Sequence, residues 1–229
     1  ATPETLAAYN VFQEYVDAVL AGDRERAASF WRPEDVAAAS RLAITREGGA
    51  LKLDDDSPLW RLAPDFRHGT ATYKFGPVET LSVGPYAGQR TLLFRGYVGS
   101  ERRIDQYLFQ RGGPRGWSLA SGERWLAGQG PRSTGRYVTV FERRPGYSWT
   151  LPPHLVANLD AAVAHMADCL GLGADRLDLL AREKLHYLLV APDVVSYLAR
   201  AETVGYANRQ VDMVVTSHPH HAHELAHLL

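Results

Sequence analysis

A single cysteine among 229 residues removes two options at once. Cys169 has no partner for a disulfide within the chain, and it cannot build a cysteine-based zinc knuckle. An excess of charge is also missing. Against 25 Lys and Arg stand 26 Asp and Glu, a net charge of −1, which leaves no footprint for nucleic acid or an anionic membrane. No apolar run in the sequence approaches the roughly 20 residues that span a bilayer. What is present is ordinary for a globular protein, with 45% apolar and 22% charged residues. A chain of this length buries two small cores more readily than one large one. It begins at Ala1 without methionine, as a processed secreted or periplasmic protein does, although an edited sequence begins the same way.

The first half reads as helices followed by strands. Thr2 is placed to cap a helix with Pro3 in its first turn. Leu6, Tyr9, Phe12, Val16 and Val19 recur at helical spacing, and Gly22 ends the run. Asp23 then caps a second helix leading to Phe30 and Trp31, and Pro33 to Leu42 reads as a third. Asp54-Asp55-Asp56 reads as a solvated turn. From Thr70 onward the period becomes two, with strands expected at Thr70–Phe75, Val78–Val83, Arg90–Val98, Ile104–Arg111 and Trp117–Arg124. Gly84-Pro85 and Gly112-Gly113-Pro114 punctuate them. The result is an α+β domain over residues 1–128. Gln129 to Gly135, rich in Gly, Pro and Ser, reads as a linker.

A second domain, 136–229, opens with a strand at Tyr137–Arg143. Pro152-Pro153 precedes a long helix whose stripe is Leu155, Leu159, Val163, Met166 and Leu170. His165 and Cys169 lie four apart on it, and read as a packed pair more readily than as metal ligands. Lys184–Ala191 is a continuous apolar run suited to a central strand. A short helix at Val194–Arg200, a turn at Gly205–Asn208 and a strand at Val211–Ser217 follow.

That strand leads into His223-Glu224-Leu225-Ala226-His227, an HExxH motif. On an α-helix, residues four apart share a face, so His223 and His227 can bind one zinc ion. Glu224 between them can act as general base on a zinc-activated water. A chance match in a chain with these His and Glu frequencies is roughly a 2% event. The blander alternative is a histidine-rich tail, since residues 218, 220, 221, 223 and 227 are all histidine.

The order of helices and curved antiparallel sheet over about residues 3–127 resembles the ketosteroid-isomerase-like, cone-shaped α+β superfamily. That family often holds a pocket in the cone, where Asp105 and Tyr107 could point, although a surface aspartate and a packed tyrosine is the commoner arrangement. Such domains often pair through their sheets, which implies a homodimer through this domain. The second half, with its mixed sheet and HExxH helix, resembles the upper subdomain of zincin metallopeptidases, in particular the gluzincin branch. The resemblance rests on His223–His227, the Gly205–Asn208 turn and the Val211–Ser217 strand.

The zincin resemblance implies zinc as cofactor, His223 and His227 as ligands, Glu224 as catalytic base, and a peptide or protein as substrate. It also implies that the strand corresponding to Val211–Ser217 lies at the sheet edge above the cleft, where an extended substrate can pair with it. Leu225, Ala226 and Leu228 would pack into the sheet. Gluzincins take their third ligand, a glutamate, from a later helix in the lower subdomain, and only Leu228 and Leu229 follow His227 here. The expectation is that the sequence is a portion of a longer protein. The alternatives are an inactive remnant, or His220 substituting as ligand while His218 and His221 face solvent. The competing function is a non-catalytic small-ligand-binding or scaffold protein carrying a degenerate zincin remnant.

Overall fold

The computed structural model describes residues 3–39, 44–47, 50–53, 91–98, 103–128, 130–143, 153–199, 202–208 and 212–229. The fold is mixed α+β and divides into two compact units, one of residues 1–40 and 45–121, the other of 41–44 and 122–229. No helix among the described residues is long and apolar enough to cross a membrane.

In the first unit, α1 spans Pro3–Leu20, α2 Arg24–Ala28 and α3 Pro33–Ala39. Gly22 adopts φ +73° at the end of α1, and the Asp23 carboxylate accepts from Arg26 N at 3.0 Å to cap α2. Phe12 and Val16 of the expected stripe are buried, but Leu6 is 54% exposed. Ala8, Val11 and Tyr15 complete the buried face, displacing it by a fraction of a turn. Strands β1 (Ile44–Glu47) and β2 (Ala50–Leu53) form a two-stranded sheet.

Strands β3 (Thr91–Val98), β4 (Arg103–Arg111) and β5 (Trp117–Ala120) pair antiparallel in that order. Asp105 and Tyr107 stand on β4 opposite Gly96 and Phe94. Phe12, Phe30, Phe109 and Leu119 join helices and sheet in one core. The expected strands at Thr70–Phe75 and Val78–Val83, and the Asp54–Asp56 turn, lie outside the described residues. The strand expected to run to Arg124 ends at Ala120 instead, and Gly122–Ala127 is helix α4.

The second unit is built on a five-stranded sheet of order β6-β7-β8-β10-β9. These strands are β6 (Arg132–Thr134), β7 (Val138–Arg143), β8 (Leu185–Val190), β9 (Gly205–Asn208) and β10 (Met213–Thr216). The three central strands β7, β8 and β10 run parallel, and β6 and β9 pair antiparallel at the edges. All six residues of β8 are buried, His186 among them, so the strand shows no alternation, as a parallel strand covered on both faces does.

Three expectations change here. Arg132–Thr134, read as linker, is an edge strand bonded to β7. Gly205–Asn208, read as a turn, is the other edge. Val211–Ser217 supplies the inner strand β10, which has neighbours on both sides and offers no free edge.

Helix α5 (Leu155–Cys169) and helix α6 (Ala174–Glu183) cover one sheet face through Leu155, Leu159, Val163 and Leu180. Leu170, expected in the stripe, is 57% exposed beyond the end of α5, and Ala167 is buried instead. Helix α6 was not anticipated, although Asp175 in its first turn and Arg182 in its last are the favourable charge order. Helix α7 (Pro192–Ala199) follows β8 with Val195 buried.

Candidate metal centre

Strand β10 leaves the sheet at Thr216, and the next five residues are held by two hydroxyls. The buried Thr216 Oγ1 donates to Val204 O at 2.9 Å and accepts from His218 N at 3.0 Å. The Tyr187 hydroxyl, rising from the neighbouring strand β8, donates to His218 O at 3.0 Å and accepts from His221 N at 3.1 Å. Burial is the main cause that pushes this phenol far above its ordinary range, and the charge of Glu224 adds to it. Tyr187 therefore stays a neutral hydroxyl, able to donate and accept at once.

His221 turns back over the start of β9. Its Nδ1 lies 3.2 Å from Thr216 Oγ1. A Cβ on Gly205 would run into His221 Nδ1 and come within 2.9 Å of Thr216 Oγ1, so the approach needs glycine at that position. Burial lowers the pKa of His221, the neighbouring imidazoles of His223 and His218 lower it further, and Glu224 opposes them. Since Thr216 Oγ1 donates to Val204, the hydrogen-bond network assigns the His221 ring proton to Nδ1. Nε2 then carries a lone pair.

Residues Ala222–Leu228 form a 3-10 helix, not an α-helix. Seven residues close few i→i+4 bonds, and the tighter turn is the usual form of such short pieces. The consequence for the motif is geometric. With three residues per turn, positions four apart are turned by about 120°, against about 40° on an α-helix. His223 and His227 thus do not share a face. Leu225 and Leu228, three apart, do share one, and both are buried in the core with Leu155 and Leu159. Ala226, expected to pack inward, is exposed.

What the segment brings together is His221, His223 and Glu224. Their ligand atoms all lie within 4.8 Å of one another. His223 Nε2 is 3.2 Å from Glu224 Oε1, and the His221 and His223 rings meet edge to face at 4.5 Å. His223 is largely exposed, while the Glu224 side chain is 14% exposed. His227 is exposed and stands outside this group. His220, considered as a substitute ligand, is exposed and bonds through its backbone to His218 Nδ1. His221, expected to face solvent, is the histidine that the fold engages.

No periodicity points to His221, because residues two apart lie on opposite sides of an α-helix. The signal that could have found it is the glycine at 205, and only once β9 and β10 are known to pair. His165 and Cys169 approach to 3.8 Å on the exposed side of α5, and no third donor joins them among the described residues.

Two imidazoles and a carboxylate are a donor set that zinc accepts, and a neutral His221 offers its lone pair without first losing a proton. By donor chemistry the residues fit the ion. No family model, curated protein or solved structure matches this chain.

Proposed function

We propose that the second unit is the metal-binding half of a zincin-type zinc peptidase. The observation that carries this reading is the convergence of His221, His223 and Glu224 where parallel strands β8 and β10 end, beside the antiparallel edge β9. His223 is a ligand in either of two arrangements. In the one shared with the HExxH pattern, His223 and His227 hold the ion and Glu224 is the base, which requires residues 222–228 to wind as an α-helix. In the other, His221 takes the place of His227 beside His223.

When bound, zinc supplies Lewis acidity to a substrate carbonyl and to the attacking water. The residues of the chain do the rest. In the first arrangement Glu224, little exposed, takes a proton at its carboxylate and returns it to the leaving amine; in the second its carboxylate completes the ligand set. Tyr187 and Thr216 hold the entry to the segment, so that a ligand at 221 or 223 is oriented before the metal arrives. The first unit fits an accessory role, and its helices and antiparallel sheet support the ketosteroid-isomerase-like reading at the level of layout.

The test is metal counting after dialysis against a mild chelator, with each histidine replaced in turn. About one zinc per chain, lost in His223→Ala, supports the centre. Loss in His227→Ala but not His221→Ala assigns the helical arrangement, and the converse assigns the cluster seen here. No retained zinc in the parent chain sinks the proposal.

A further inference from the structure

The segment that carries the metal centre fits two windings, and its leucines are spaced for both. In the 3-10 helix of Ala222–Leu228, positions three apart align, and Leu225 and Leu228 are buried together. Leu229, the next residue, packs only partly against the same core. An α-helix aligns positions four apart to within about 40°, which puts Leu229 in line with Leu225. Two consecutive leucines thus supply an inward anchor for either period.

The metal-binding side chains divide in the same way. The tight winding sets His223 and Glu224 beside His221, with all three ligand atoms within 4.8 Å of one another. The looser winding would align His223 with His227, on the side opposite Leu225.

We propose that these arrangements are two states of one site: His221, His223 and Glu224 form a resting state that holds the ion, and rewinding of residues 222–229 as an α-helix exchanges His221 and Glu224 for His227. The proposal rests on the zincin reading of the same residues. Its consequence is latency. Glu224 Oε1 lies 3.2 Å from His223 Nε2, turned onto the ligand group. A carboxylate committed there is not free to take a proton from water, and rewinding releases it to act as base. With three donors against two, the parent chain rests in the first state. Two contacts hold that balance. Gly205 leaves the space that His221 fills, and Leu228 anchors the tight winding in the core. Removing either contact weights the population towards the second state.

The experiment measures zinc affinity of the whole chain by competition with a chromophoric chelator. In the parent chain, His221→Ala should weaken zinc binding by about tenfold or more, and His227→Ala by less than about twofold. Gly205→Ala crowds His221 out of the resting state, and Leu228→Ala removes the tight anchor while leaving Leu229. In either background zinc should bind more weakly than in the parent, and the dependence should reverse. His227→Ala then costs about tenfold or more, and His221→Ala less than about twofold. Reversal in one folded background is sufficient, so misfolding of the other by circular dichroism leaves the test intact. The proposal is overturned if His227 is already required in the parent, if His221 stays required in every folded background, or if zinc binding is lost from each. Those results leave the zincin reading standing, whereas no zinc in the parent chain sinks both.

Discussion

Asp160 on α5 offers the sharpest test of how the second unit is held. One carboxylate serves three consecutive backbone donors: Oδ2 accepts from Arg136 N at 2.6 Å, and Oδ1 from Tyr137 N at 2.7 Å and Val138 N at 3.0 Å. From the other side, Lys184 Nζ donates to Gly135 O and Arg136 O, each at 2.8 Å. This crossing fixes the start of β7 against α5. Arg136 is exposed, so water replaces its bond when the carboxylate is removed. Tyr137 and Val138 are 5% and 0% exposed, and their N–H groups have no such recourse.

At about 1–3 kcal/mol for each of the two buried donors left without a partner, Asp160→Ala should cost the second unit about 2–6 kcal/mol. Against a typical domain stability of about 5–15 kcal/mol, that is a large fraction. Asp160→Asn keeps one acceptor oxygen and should lose about half as much. The assay is urea unfolding followed by Tyr and Trp fluorescence, fitted with two transitions because the chain has two compact units. Only one transition should move. A loss below about 1 kcal/mol in Asp160→Ala would refute the argument that these donors are closed to water.

Other consequences can be measured on the same chain. Gly135→Ala places a Cβ against the Asp160 carboxylate and 2.6 Å from Val156 Cγ1, and should cost about 1–3 kcal/mol in the same unfolding transition. Tyr187→Phe removes the hydroxyl that joins His218 O to His221 N; a loss of about 1–2 kcal/mol is expected by urea titration, and an unchanged midpoint would deny the bridge a structural role. The depressed pKa of His221 has a definite sign. The unfolded chain binds that proton first, so stability is fully present above about pH 6.5 and falls as pH drops through the folded value. A thermal-midpoint series from neutral to acid should show a decline that flattens in His221→Gln. Glu224→Gln should abolish hydrolysis of a peptide substrate while keeping bound zinc in the helical arrangement, and should weaken zinc retention in the His221–His223–Glu224 arrangement; a variant with full turnover would remove Glu224 from the chemistry.

The helices of the first unit were legible because capping and apolar spacing are local. Asp23 caps α2 where expected, and Phe12 and Val16 face the core. The central strand β8 was legible for the same reason, as six buried residues in a row leave little else to be. Edge strands were harder. Arg132–Thr134 is fully exposed, and Gly205–Asn208 has one buried residue of four. Neither has a periodicity to read. Each becomes a strand only because an inner strand, β7 or β10, offers it a ladder to complete, and pairing between distant segments is not written in either one.

The same reasoning separates what the motif says from what the fold does with it. HExxH carries its meaning through a rotation of about 100° per residue, which aligns the two histidines. Residues 222–228 turn by about 120° instead, and the apolar pair Leu225 and Leu228 matches that period, three apart and buried. Winding the segment as an α-helix would swing Leu228 about 60° off the line of Leu225 and bring His227 towards His223. The two arrangements thus trade a leucine contact for a ligand, and a bound metal ion is an agent able to offset that loss. In the conformation seen here it is His221 that lies beside His223, because Gly205 makes room for it and Thr216 Oγ1 lies 3.2 Å from its ring. A single side-chain deletion at 205, visible in the sequence but meaningless without the β9–β10 register, is what places an imidazole beside His223 and Glu224.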